Sequence, residues 1–129
     1  MQEKKSPCTY GSEGKKRIVY SCSGIGSNVG QIAHATACRL ALEGFGEGSC
    51  LAGVGAGIEK LKDLGKTADE RIVIDGCPVG CAKKIMDNKG LTINRYVMIT
   101  ELGFVKTSGP TDNENDIQTV VDAVRNPSR

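Results

Sequence analysis

The chain has 129 residues, of which 39% are hydrophobic and 25% charged, which suits one domain with its own core and excludes a mainly disordered chain. Aromatic residues make up only 4%, Trp is absent and the net charge is +2, so neither a base-stacking platform nor a phosphate-binding stripe is expected. No apolar run approaches the length of a membrane span, and the opening Met1 to Pro7 has no apolar signal core, so we expect a cytoplasmic protein with no nucleic-acid and no membrane partner.

Residues 1–14 are polar and read as a flexible arm carrying Cys8. Residues 15–129 read as one domain. R-I-V-Y-S (17–21) predicts a first strand, with Tyr20 in the core. A glycine-rich loop follows, C-S-G-I-G-S-N (22–28). Asn28 is placed to cap a helix, with Gln31 three residues later as its reciprocal partner. That helix should run over 29–43, burying Val29, Ile32, Thr36 and Leu40, with Gly44 just past its end. A second strand is expected over Ser49 to Ala52, then a loop G-V-G-A-G (53–57) and a modest helix over 58–64. R-I-V-I-D (71–75) is a continuous β-branched run, as in a strand buried on both faces. The turn G-C-P-V-G (76–80) leads into a helix over 81–89 stopped by Gly90. R-Y-V-M-I-T (95–100) reads as a fourth strand and 106–115 as a polar loop. A last helix over 116–125 places Ile117, Val120, Val121 and Val124 on one stripe. Strands alternating with helices predict a three-layer, Rossmann-like α/β domain around a mainly parallel four-stranded sheet.

In such a sheet the loops that follow the strands share the carboxyl-end rim, where open α/β sheets bind ligands. On this scheme Cys22 follows the first strand, Cys50 ends the second, Cys77 follows the third, and Cys81 opens the next helix. Six cysteines in a short chain of a reducing compartment point to metal or thiol chemistry. Four thiolates suit tetrahedral zinc, whose ligands must arrive from several directions. The glycine loops offer amides to the sulfurs, and Lys83 and Lys84, unless they are an ordinary solvated face, offer countercharge. Cys38 lies mid-helix among alanines and reads as a packing residue.

D-G-C-P-V-G-C-A-K-K (75–84) resembles the signature of the DGC-domain family. The resemblance extends to Y-S-C-S-G-I-G-S-N-V-G-Q (20–31), C-L-A-G-V-G-A-G (50–57) and T-E-L-G (100–103), and so covers most of residues 17–106. It implies a zinc-binding domain with four chelating cysteines and no established activity. The motif cysteines match Cys22, Cys50, Cys77 and Cys81, the quartet the topology selects. Cys8 resembles an N-terminal cysteine of relatives and reads equally as a fifth thiol or as an arm residue.

Other readings are weaker. G-I-G-S-N-V-G (24–30) departs from the dinucleotide fingerprint by one residue, and Cys50 stands where a ribose-binding acid belongs. The loop retains the capacity to hold a small anion. His34, the single histidine, has no evident Cys or Asp partner in sequence. Asp75 ends a buried strand and is expected to serve the following turn or helix as an acceptor, with a role as proton acceptor the alternative. The expected function is metal or sulfur handling with zinc as cofactor. A thiol redox or sulfur-transfer enzyme using Cys77 and Cys81, or an iron–sulfur cluster on the same quartet, is the alternative.

Overall fold

A computed structural model describes residues 14–111 and 113–127. The expected arm therefore lies, apart from Gly14, outside the described residues, and Cys8 with it. The elements in chain order are β1 (Arg17–Ser21), α1 (Asn28–Leu42), β2 (Glu47–Gly48), α2 (Leu51–Gly55), α3 (Glu59–Lys66), β3 (Glu70–Asp75), α4 (Cys81–Asn88), β4 (Arg95–Met98), a 3-10 turn (Ile99–Leu102) and α5 (Glu114–Arg125). All three strand pairings are parallel, in the order β2-β1-β3-β4. No described helix is long and apolar enough to cross a membrane.

The alternation of buried side chains along β1 and β3 divides the core in two. Val19, Ile72 and Ile74 pack with α1 and α5 on one face, joined by Ile32, Leu40, Val120 and Val124. Ile18, Tyr20 and Val73 face the other way, onto Leu51, Val54, Ala82 and Met86. Ile72, Val73 and Ile74 are all fully buried, because β3 is central and covered by helices on both sides. Burying each such side chain stabilises the fold by about 1.5–3 kcal/mol. This is the three-layer arrangement that the run R-I-V-I-D implies.

Three local expectations change. The fourth strand stops at Met98, and Ile99 and Thr100 open the 3-10 turn instead. Ser27, not Asn28, caps α1: its backbone is extended and its hydroxyl accepts from the Gly30 amide at 3.1 Å. Asn28 is occupied elsewhere. The second strand is only Glu47–Gly48, paired with Ile18 and Val19 at the sheet edge. The stretch from Leu51 turns into α2 instead, because Leu51 and Val54, three residues apart, both bury against the sheet. Cys50 is thus no strand residue. It is the N-cap of α2, its carbonyl accepting from the Gly53 and Val54 amides.

The connection order also creates a switch point. From β1 the chain moves to β2 on one side and then crosses to β3 on the other. The loops after β1 and β3 therefore leave the sheet in opposite directions and open a crevice between them. Cys22 begins one loop and Cys77 sits in the other.

Candidate functional site

The crevice is a cavity of about 340 Å³ whose walls include Cys22, Asp75, Cys77, Cys81 and Lys106. A second cavity of about 570 Å³ adjoins it, bordered by Cys22, Cys38, Cys50 and Cys81. Cys22 and Cys81 belong to both. All four cysteines of the predicted quartet therefore border one continuous rim region, and the described cysteines are free thiols.

The floor of the crevice is built by close backbone approach. The first turn of α1 lies directly against Gly76: a Cβ there would stand 2.8 Å from the Val29 carbonyl carbon and 2.9 Å from the Gly30 nitrogen. Neither contact leaves room for a side chain, so Gly76 lets the end of β3 reach the N-terminus of α1. Cys22 is half-buried there. Burial pushes its thiol pKa up, against the pull of backbone hydrogen bonds from Gly24 and Gly76, and the nearby Asp75 and Cys81 add to the rise.

Asp75 positions the Cys81 helix. It is 1% exposed. Its Oδ1 accepts from the Ala82 amide at 2.8 Å, and its Oδ2 from the Lys83 amide at 3.0 Å and the Tyr96 hydroxyl at 2.8 Å. The carboxylate thus supplies the N-terminal acceptors that Gly80, the N-cap with φ +66, cannot supply from a side chain. The structural role expected for Asp75 is the one observed. Tyr96 is its partner: desolvation, the hydrogen bond to Asp75 and the carboxylate's charge all raise the phenol pKa, so it remains a donor.

The cation at the crevice is one the sequence did not single out. Lys106 Nζ donates to Cys77 Sγ at 3.4 Å. Asn28 puts it there, by clasping the residues on either side: its Nδ2 donates to the Val105 carbonyl, and its Oδ1 accepts from the Thr107 amide. Lys83 pairs instead with Asp87 one turn along α4, and Lys84 is exposed. Lys83 is thus a solvated-face residue. Lys106 and the Asn28 clasp are joined across more than seventy residues of sequence, and no local pattern reveals them.

Cys38 is not a packing residue. It is exposed and borders the second cavity. Its Sγ lies 3.4 Å from Nε2 of His34, which does have a cysteine partner one helical turn away. The i,i+4 spacing of His34 and Cys38 was the available signal.

A family model for the DGC domain matches residues 18–124. The chain belongs to the DGC domain family. The DGC match runs from within β1 to within α5 and takes in every rim residue described above. The chain is also similar to the anaerobic and virulence modulator AnvM of Pseudomonas aeruginosa, 32% identical over 101 residues, which are 78% of this chain and 76% of that protein. No solved structure matches. For this DGC domain the thiol donors suit zinc chemically, but the sulfurs do not close around one point. Among the described residues no three His, Cys, Asp or Glu groups are placed to hold a single ion.

Proposed function

We propose that this DGC domain uses its rim thiols to bind a soft metal ion, zinc, on Cys22, Cys50, Cys77 and Cys81, as an exchangeable ligand rather than as a staple of the fold. The observation that carries this reading is that the four thiols, from three separate loops, border two adjoining cavities with Cys22 and Cys81 common to both. Drawing them onto one ion requires the loops to close up, which is how a site that takes and releases metal differs from a prebuilt structural one. The two hydrophobic clusters supply a core on each face of the sheet, which supports an exchangeable metal over a structural one. Lys106 supplies countercharge to an anionic thiolate shell. A second reading, thiol redox or sulfur transfer at Cys77 and Cys81, is favoured by the Lys106 contact to Cys77 and by the open placement of the sulfurs.

The test is metal content after anaerobic purification, followed by competition with a chromophoric chelator in the parent, Cys50→Ser and Cys77→Ser. The expected result is about one zinc per chain, no strong visible band, and affinity lowered at least tenfold in both variants. Parental affinity in Cys50→Ser with loss in Cys77→Ser makes the thiol pair the better reading. Stoichiometric iron with a visible band makes the site an iron–sulfur centre.

A further inference from the structure

The second cavity holds a constellation that the metal reading does not use. Cys38 and His34 lie on one face of α1, 3.4 Å apart from Sγ to Nε2. His34 Nδ1 is 3.1 Å from Ser23 Oγ, and Ser23 Oγ is hydrogen-bonded to Ser21 Oγ at 2.5 Å. A thiol that donates to Nε2 requires that nitrogen to be unprotonated. The ring then carries its proton on Nδ1 and donates it to Ser23 Oγ, whose own proton goes to Ser21. In that tautomer the donors run in one direction from Cys38 to Ser21. Ser23 is also the one non-glycine residue with positive φ among the described residues, at +53, a conformation that side-chain-bearing residues rarely adopt. Its two side-chain hydrogen bonds hold it there and aim its hydroxyl at the imidazole. A cysteine beside a base that a third group orients is the arrangement of an activated nucleophile.

We propose that Cys38 is a reactive thiol that forms mixed disulfides with low-molecular-weight disulfides admitted to this cavity. The Cys38 sulfur attacks one sulfur of the incoming disulfide. Its proton passes to His34 Nε2, the new S–S bond forms, and the old one breaks. His34 then returns the proton to the departing thiolate, which leaves as a free thiol. No oxidant beyond the disulfide itself is consumed. The cavity suits such a ligand: at about 570 Å³ it accommodates a small molecule, and its walls carry no Asp, Glu, Lys or Arg among the described residues. His34 acts as proton acceptor and donor, and Ser23 as a positioning residue. The exchange at Cys38 is independent of zinc, since neither Cys38 nor His34 belongs to the proposed ligand set.

The probe is bis(2-hydroxyethyl) disulfide, uncharged like the cavity walls, applied to the full chain as purified, with the modified cysteines mapped by peptide mass spectrometry over time. Cys38 is expected to be modified at least tenfold faster than Cys8 or than thiols of the urea-unfolded chain. His34→Ala is expected to slow Cys38 at least tenfold while leaving Cys8 unchanged, and added imidazole to restore part of the rate. Both α1 positions are exposed, so the variant should fold, which circular dichroism checks. Ser23→Ala is expected to slow Cys38 less than His34→Ala does. An unchanged Cys38 rate in His34→Ala, a loss that imidazole does not relieve, or a parental Cys38 no faster than the unfolded-chain thiols overturns the proposal.

Discussion

Replacing Asp75 by Asn tests whether one buried carboxylate assembles the Cys81 side of the rim. The aspartate accepts three hydrogen bonds, from the Ala82 and Lys83 amides and the Tyr96 hydroxyl. An asparagine keeps one oxygen acceptor and turns an NH₂ group toward the remaining donors. Tyr96 can rotate its hydroxyl to accept from that group, but a backbone N–H cannot. With the oxygen facing Ala82, the Lys83 amide is left facing a donor. The variant thus loses two charge-assisted hydrogen bonds and strands one donor near a helix N-terminus. At about 1.5–3 kcal/mol for a hydrogen bond to a charged group, less the recovered Tyr96 contact, the expected loss is about 2–4 kcal/mol. Urea denaturation should show a lowered midpoint at unchanged slope. Tyr96→Phe removes one donor while leaving the carboxylate its two amides, and should cost about 1.5–2 kcal/mol, the lower part of that range. Asp75→Asn within 0.5 kcal/mol of the parent, on the ~1 kcal/mol scale of one net hydrogen bond, would refute the view that Asp75 holds α4.

Further expectations concern the rim and the opposite end of the sheet. Lys106→Met should weaken zinc binding several-fold, read by the same chelator competition, because the crevice loses the cation that donates to Cys77. Cys38→Ala should leave zinc content unchanged and cost at most about 1 kcal/mol in a thermal or urea melt, since the side chain is exposed. Gly76→Ala should destabilise the domain by about 1–3 kcal/mol, because its Cβ meets the α1 backbone and not a movable side chain; a neutral melt would show that the two loops can separate freely. Glu70 governs part of the acid response. Its partial burial raises the carboxyl pKa, but hydrogen bonds and charge from Arg17 and Arg95 outweigh this, and the pKa is lowered on folding. Its stabilisation is therefore fully present above the unfolded carboxyl pKa, near 4.3, and is lost as pH falls through the lower folded value. Glu70→Gln should be less stable at pH 7 and should show a flatter loss of stability below about pH 5; an identical acid slope in parent and variant would contradict this.

Much of the layer architecture is legible in the chain itself. The β-branched run at β3 can bury both faces only between two helix layers, and the apolar stripes of α1 and α5 require a sheet to lie on. Glycines at helix ends, such as Gly44 and Gly90, adopt the positive φ that ends a helix. Because side-chain periodicity and backbone chirality are local properties, they also place Cys22, Cys77 and Cys81 at strand and helix ends without knowledge of the tertiary fold. The reading failed where distant groups compete for the same residue. Asn28 has the chemistry of a helix cap, but the strand of chain around Lys106 claims its side chain and leaves the cap to Ser27. Ser49 to Ala52 has the composition of an edge strand, but burial of Leu51 and Val54 outweighs a weak edge pairing. Cys38 sits among alanines in sequence, yet α1 turns that side toward a cavity whose other wall comes from α2 and α4. Which sulfurs share a space, which cation meets them and which helix face is wet depend on contacts between segments far apart in the chain, and hydrophobic pattern carries no information about those.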